Sequence, residues 1–403
     1  MNQLFQPSQT KSHAPVKASG FALFELGFRP FYLLAAFWSV LVILEWLLEL
    51  NGLGFRRNRV IPGMQWHAHE MVFGFALAVI AGFLLTASNN WTGILPAAGL
   101  PLTLLFLFWA LARLFMFVGN ITLAGALDMT FVALLSILLL RVLWLAKLWK
   151  NFFILGIVIL IGALNAWFYA ILLLDLPVTP LYPIELTLLL ILQLLVVMGG
   201  RVIPMFTQNG VPGVTVWKPP VFATLTPITT VLAILSWLIL PPKLAFLACI
   251  LGAIVNLIRW IGWKPWRCLG QPMVWVLHLG YLWIPITLLM MGFEVLGIVP
   301  RSLPIHTLSV GAMGLIVIGM ITRTAMGHTG RQISASSVES AIFILIAVSG
   351  LLRALAGISP LQSPVITPML LLLAGSSWVV AFVLYLYRYT PWLFRPRLDG
   401  RPG

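Results

Sequence analysis

Long apolar segments separated by short polar ones run through the whole chain. Windows of roughly 20 apolar residues, enough to cross a hydrocarbon core as a helix, recur at 30–49, 66–86, 97–118, 121–140, 152–174, 181–203, 220–240, 243–262, 271–293, 304–325, 337–357 and 364–387. Barrel strands would instead alternate over about ten residues. Only helices and closed barrels satisfy their backbone polar groups in lipid. The pattern therefore predicts an all-α, polytopic membrane helix bundle of about twelve transmembrane helices.

The composition agrees with a membrane protein and excludes an ordinary soluble domain. Hydrophobic residues make up 61% of the chain and charged residues only 8%, against about 25% charged residues in soluble domains. No loop between the windows is long enough for a separate domain. We therefore expect a single transmembrane domain at 30–387 between an amino-terminal tail, 1–29, and a carboxy-terminal tail, 388–403.

The positive charges predict the orientation of the bundle. Lys and Arg divide 17 to 7 between the two sets of loops, with the larger share on the side that carries both tails. The positive-inside rule then places both termini in the cytoplasm, although the loop with Arg56, Arg57 and Arg59 faces outward. The net charge of +14 is scattered over short loops rather than gathered in one stripe, so we expect no nucleic acid partner.

Histidine is the residue type that indicates a functional site in this chain. Ionisable residues within membrane spans are costly and are functional candidates by default. Five of the six histidines lie at or inside predicted spans: His67, His69, His278, His306 and His328. So many imidazoles beside few acids favour metal or haem ligation over ion pairing.

The densest motif is WHAHEM at 66–71, at the start of the second span. On a regular helix His67 and His69 point about 200° apart, so one metal ion could not take both, whereas His67 and Glu70 share a face. We expect one imidazole to bind a metal and Glu70 to support the site as a hydrogen-bond acceptor or proton carrier. The alternative is a hydrogen-bonded histidine pair at the membrane interface.

The tenth span carries the second motif, from His306 through Ser309, Gly311, Ala312 and Gly314. Its small residues would let a neighbouring helix or a flat cofactor approach closely. The second and tenth spans run in the same direction, so their first turns lie at the same depth. We therefore predict one metal site, near the outer face, formed by His67 or His69 with His306.

Four further residues are candidates for binding a cofactor nearer the inner face. His278 lies within the ninth span, Arg323 lies at the end of the tenth, and His328 and Arg331 follow it. His328 lies about 33 Å along the helix from His306, so these two cannot share a metal. The arginines could bind haem propionates or lipid phosphates, and His278 could simply be hydrogen-bonded to another helix.

At these motifs the chain resembles the NnrS family over nearly its whole length. The matching stretches are GFRPF at 27–31, WHAHEM at 66–71, GFLLT at 82–86, NWTG at 90–93, GRVIPMFT at 200–207, and His306 through GAMG at 311–314 to GHTGR at 327–331. The resemblance implies a bacterial inner-membrane protein that contains haem and copper and takes part in nitric oxide metabolism and protection from nitrosative stress. The alternatives are an oxidoreductase that reduces nitric oxide with quinol or another electron donor, and a transporter of a small solute or metal.

Overall fold

Twelve helices that are long and apolar enough to span a membrane make up the protein. The computed structural model describes residues 20–56, 60–358 and 363–400. The helices are α1 Phe28–Leu50, α2 Gly63–Thr92, α3 Leu100–Val118, α4 Ile121–Leu145, α5 Trp149–Leu173, α6 Leu181–Gly210, α7 Val221–Ile239, α8 Pro242–Gly262, α9 Pro272–Val295, α10 Ser302–His328, α11 Ser337–Leu355 and α12 Ile366–Phe394. The predicted all-α bundle of twelve spans is confirmed. Most of the predicted amino-terminal tail, together with Arg57 and Arg59, lies outside the described residues.

Two helices continue well past their predicted ends. α6 reaches Gly210 and α12 reaches Phe394, whereas the sequence predicted ends at 203 and 387. Pro204 and Pro391 follow these predicted ends within four residues, yet both prolines lie inside their helices. Packing in a membrane bundle can replace the backbone hydrogen bond that proline removes, so a proline is a weak boundary signal here.

The helices with the histidines are the most deeply buried. In their most apolar windows α2 is 78% buried, α10 72% and α9 67%, while the other helices range from 33% to 50%. α1 packs against α2 and α12, and α11 packs against α10 and α12. The histidine-bearing helices therefore form the centre of the bundle, where lipid does not reach their polar side chains.

Both histidine motifs run directly into a π-helical segment. α2 is α-helical to His69 and π-helical from Glu70 to Ala76, and α10 changes in the same way from His306 to the segment Thr307–Met313. A π turn holds more residues than an α turn, shifts the phase of the side chains that follow, and is frequent at functional sites. The two helices therefore carry the same local irregularity at corresponding positions.

The two ends of the described chain pack together. The Ala22 amide donates to the Phe394 carbonyl at 2.9 Å, and the Leu398 amide donates to the Thr329 carbonyl at 3.2 Å. This agrees with an even number of spans, which places both ends on the same side. The cytoplasmic location of that side remains a prediction.

Candidate functional site

A cavity of about 70 Å³ lies between five helices, at the end of the bundle opposite the described chain ends. Its walls come from α1, α2, α10, α11 and α12. The lining residues are Ile43, Trp46, Leu47, Leu50, His67, His306, Val310, Ser349, Arg353, Leu371, Ala374, Gly375 and Trp378. Two imidazoles and one guanidinium are thus placed in an otherwise mostly apolar space with room for a few small molecules.

The hydrogen bonds of His306 fix which ring nitrogen is free to accept. Nδ1 lies 2.7 Å from the carbonyl oxygen of Ser302, and a carbonyl can only accept, so Nδ1 carries the hydrogen. Nε2 then holds the lone pair. Nη2 of Arg353 lies 2.9 Å from Nδ1 and 3.3 Å from Nε2, and of these two nitrogens only Nε2 can accept a hydrogen bond from it. His306 is therefore held as the tautomer whose Nε2 can bind a metal, with a cation beside it.

His67 enters the cavity from α2. Its ring stacks on the indole of Trp46, with 5.1 Å between ring centroids and 22° between planes. Its Nδ1 is buried and has no hydrogen-bond partner among the described residues. A buried imidazole nitrogen without a partner is costly unless a ligand occupies it, so His67 can supply a second nitrogen to the same space as His306.

His69 faces away from this cavity into a separate buried cluster. Its Nδ1 lies 2.8 Å from Oε1 of Glu70 and its Nε2 lies 3.0 Å from Oδ1 of Asn165. Both nitrogens are engaged, so His69 has no free position for a metal. The predicted divergence of His67 and His69 on the helix agrees with this placement.

Glu70 supports His69 rather than His67, unlike the arrangement expected from the sequence. Oε1 of Glu70 accepts from His69 and from Nη1 of Arg113 at 2.7 Å, and Oε2 accepts from the Trp38 indole at 2.6 Å. The expectation assumed a regular helix through Glu70, but the backbone becomes π-helical at that residue. Glu70 is fully buried, and its two carboxylate oxygens have these three protein partners.

Arg113 connects this cluster to a second carboxylate. Its Nη2 donates to Oδ1 of Asp128 in a very short contact. Oδ2 of Asp128 accepts from the Tyr169 hydroxyl at 2.7 Å and from the Asn165 amide at 3.3 Å. The cluster therefore links α1 through α5 by side-chain hydrogen bonds.

Arg113 pairs with both carboxylates of this cluster, those of Glu70 and Asp128. With the Asn165 amide oriented toward Asp128, both nitrogens of His69 face acceptor oxygens. Buried charges are tolerated when they are paired and hydrogen-bonded in this way.

His278 lies apart from both groups, in α9. The Thr207 hydroxyl donates its hydrogen to the Ile203 carbonyl at 2.8 Å, so it accepts from Nε2 of His278, also at 2.8 Å. Nδ1 of His278 is buried and has no hydrogen-bond partner among the described residues. The hydrogen bond to another helix, which the sequence offered as an alternative role for His278, is therefore present. Nδ1 of His278 still has no partner among the described residues.

The three other predicted cofactor residues contact different aromatic rings. The guanidinium of Arg323 lies 3.9 Å from the Phe206 ring and that of Arg331 lies 4.2 Å from the Trp392 ring, while the His328 ring lies 5.5 Å from that of Phe28. Binding of haem propionates or lipid phosphates by these residues remains a prediction.

Sequence reasoning did not single out Trp46, Arg113, Asp128 or Arg353. Each is a single residue in an apolar span, without a motif around it. A usable signal was present, because Arg113, Asp128 and Arg353 are ionisable residues within spans and such residues need partners. Pairing Arg113 with Asp128 across neighbouring helices would have located the buried cluster.

One comparison with known proteins is informative. The family model described as NnrS protein matches residues 22–397, nearly the whole chain and all twelve helices. No curated protein matches the chain.

Proposed function

This chain belongs to the NnrS family, and from that membership we propose that it is a metalloprotein of the bacterial inner membrane that acts in the nitric oxide response. We further propose that it binds nitric oxide at a haem held by His67 and His306. The observation that carries this proposal is the placement of two imidazoles in one mostly apolar cavity, at the end of the bundle opposite the described chain ends.

The chemistry of the cavity suits haem iron better than a lone copper ion. Imidazole binds both metals, but the Arg353 guanidinium beside His306 would repel a bare cation. It would attract the propionates of a haem, because arginine pairs strongly with carboxylates. The lining of leucine, isoleucine, valine and tryptophan side chains suits a porphyrin ring.

Copper does not fit the described residues as well. No group of three or more His, Cys, Asp and Glu side chains that could hold a metal ion occurs within 20–56, 60–358 and 363–400. A haem needs one or two axial ligands, so that finding does not bear on it. We therefore assign no copper ligands and propose no role for copper in binding nitric oxide.

Haem binding requires the cavity walls to move. A space of about 70 Å³ is smaller than a porphyrin, so the side chains that line it, Trp46 and Leu371 among them, must separate to admit one. Both belong to helices at the edge of the cavity, α1 and α12, whereas the His67 and His306 helices are packed in the centre. The proposal includes this separation of the outer helices from the central pair.

The protein's own residues have distinct tasks in this proposal. The Ser302 carbonyl orients the His306 ring. The Glu70 cluster fixes the start of α2 against α3, α4 and α5 without taking part in ligation. Haem iron, when bound, would supply the position at which nitric oxide coordinates in exchange for one of the two imidazoles, and nitric oxide, being small and neutral, could reach it through apolar surroundings.

The test is spectroscopic and physiological. Protein purified after haem-sufficient expression should show a Soret band that shifts when nitric oxide is added to the reduced sample. A strain that lacks the gene should regain growth under nitric oxide when supplied with the wild-type chain but not with His306→Ala. A folded preparation without a Soret band, or full rescue by His306→Ala, would contradict the proposal.

A further inference from the structure

A second cavity, of about 140 Å³, lies at the end of the bundle where the described chain ends pack together. It is formed by the end of α8, the middle of α6 and the loop that precedes α7. The residues used below are Gly200, Trp217, Lys218, Arg259 and Trp263, all of which line it. None of them belongs to the His67 and His306 cavity, which is at the opposite end.

A buried arginine without an acidic partner reaches this cavity. Arg259 is only 7% exposed. Its Nη1 donates to the Thr226 hydroxyl at 2.7 Å, the Val196 carbonyl at 3.2 Å and the Tyr281 hydroxyl at 3.3 Å. All three acceptors are neutral, and among the described residues Arg259 makes no ion pair with a carboxylate. The described residues therefore hold a buried positive charge that no carboxylate among them neutralises.

The other half of the guanidinium is left for a ligand. Nη2 of Arg259 makes no hydrogen bond to the described residues and packs against Gly200, where an added Cβ would lie 1.8 Å from it. Only glycine at position 200 leaves room for the guanidinium in this place. Since Arg259 lines the cavity, its free donors can serve a molecule that enters there.

The walls add a second cation and two aromatic rings. Lys218 lies at the exposed rim, where its Nζ donates to Oε1 of Gln208 at 3.1 Å. The guanidinium of Arg259 lies 5.3 Å from the Trp263 ring. The loop is fixed to α8, because the Trp217 amide donates to the Gly262 carbonyl at 2.9 Å. The cavity is thus positively charged, partly aromatic and held open by a fixed loop.

We propose that this cavity is a binding site for a phosphate group or a similar small oxyanion, with Arg259 at its base and Lys218 at its rim. A planar guanidinium with free donors matches the oxygens of such a group, and the ligand's charge neutralises the buried cation. The group can belong to free phosphate or to the head of an anionic lipid, because the site lies at the membrane surface. This site is independent of the proposed metal centre.

The two sources are separated by two probes on the purified full-length chain. Inorganic phosphate is titrated by calorimetry into protein in an uncharged detergent. Phosphatidylglycerol is titrated into protein in nanodiscs of phosphatidylcholine, and thermal stabilisation is recorded. Binding of only one probe supports the site and identifies the source.

Variants decide whether Arg259 carries the binding. Arg259→Met and Gly200→Ala should each lower the affinity for the probe about tenfold or more. This is the effect expected when one charge-assisted hydrogen bond is lost. Arg259→Lys and Lys218→Gln should weaken it less. Arg201→Met is the matched control, because Arg201 adjoins Gly200 but is exposed and contacts Phe153 instead. It should bind like the wild type.

Two results would overturn the site. One is that the wild type binds neither probe, and the other is that Arg259→Met and Gly200→Ala bind as tightly as Arg201→Met. If Arg259→Met fails to elute as a folded species, Gly200→Ala and the surface variant Lys218→Gln decide in its place, and wild-type affinity in both overturns the site.

Discussion

The guanidinium of Arg353 lies 3.3 Å from Nε2 of His306, the ring nitrogen that carries no hydrogen. A metal bound at this nitrogen would have a permanent positive charge close by. Such a charge favours the reduced form of a metal centre, since reduction lowers its positive charge. The relation between these two residues therefore makes a prediction about redox potential as well as about binding.

Replacing Arg353 should lower the midpoint potential of the bound haem. Arg353→Leu removes one positive charge, and at a distance of about 5 Å in an effective dielectric of about 20 this shifts the potential by on the order of 100 mV. Arg353→Lys keeps the charge and should shift it much less. A spectroelectrochemical titration measures both. Equal potentials in the wild type and Arg353→Leu would show that this charge does not face the metal.

His67 and His69 should differ in what their replacement damages. His69→Ala leaves the buried oxygen of Asn165 without a donor and removes one of the three donors to Glu70, which costs about 1–3 kcal/mol. Thermal unfolding of haem-free protein should thus occur at a lower temperature. His67→Ala removes a ring that has no hydrogen-bond partner at Nδ1, so haem-free protein should unfold near the wild-type temperature. If His67→Ala lowered the unfolding temperature and His69→Ala did not, the assignment of these two residues to separate sites would be contradicted.

Arg113 and Asp128 should behave as a coupled pair. Breaking a buried ion pair by removing one partner costs about 3–5 kcal/mol, so Arg113→Met and Asp128→Asn should each strongly reduce stability. The double variant should lose less than the two single losses combined, because no uncompensated charge is left at that pair. Unfolding of the four proteins in one detergent measures the coupling. Strict additivity would mean that the pair contributes no interaction of its own.

The native cysteines should react too slowly with maleimide to interfere with a labelling experiment on topology. Cys249 and Cys268 are both buried, and burial raises the pKa of the Cys268 thiol. A raised pKa leaves little thiolate at pH 7, so maleimide labelling of the wild type should be slow and should increase as the pH rises. Labelling of Cys268 that is fast at pH 7 and does not change up to pH 9 would contradict this.

On that background, introduced cysteines report the orientation. Lys147 lies in the loop between α4 and α5 and Asp175 in the loop between α5 and α6, and both are exposed. In intact cells a membrane-impermeant maleimide should label Asp175→Cys, whereas Lys147→Cys should be labelled only after the membrane is opened. The opposite pattern would place the described chain ends outside the cytoplasm and overturn the orientation derived from the Lys and Arg distribution.

The number and order of the helices could be predicted from the sequence because lipid imposes one length and one composition on every span. The divergence of His67 and His69 also followed from helix geometry alone. The partner of Glu70 did not follow, because the π-helical turn that begins there leaves no mark in the residue pattern. Arg353 and Trp46 could not be placed beside the histidines, since their proximity depends on how α1 and α11 pack against α2 and α10.

The most direct test is the haem content of two histidine variants and one control. Iron per chain and the visible spectrum are measured for His67→Ala, His306→Ala and the control Arg201→Met, whose exposed side chain contacts Phe153 outside the cavity. We predict that the two histidine variants each lose haem or show a changed Soret band, while the control resembles the wild type. Wild-type iron and an unaltered spectrum in His306→Ala would contradict a metal centre formed by His67 and His306.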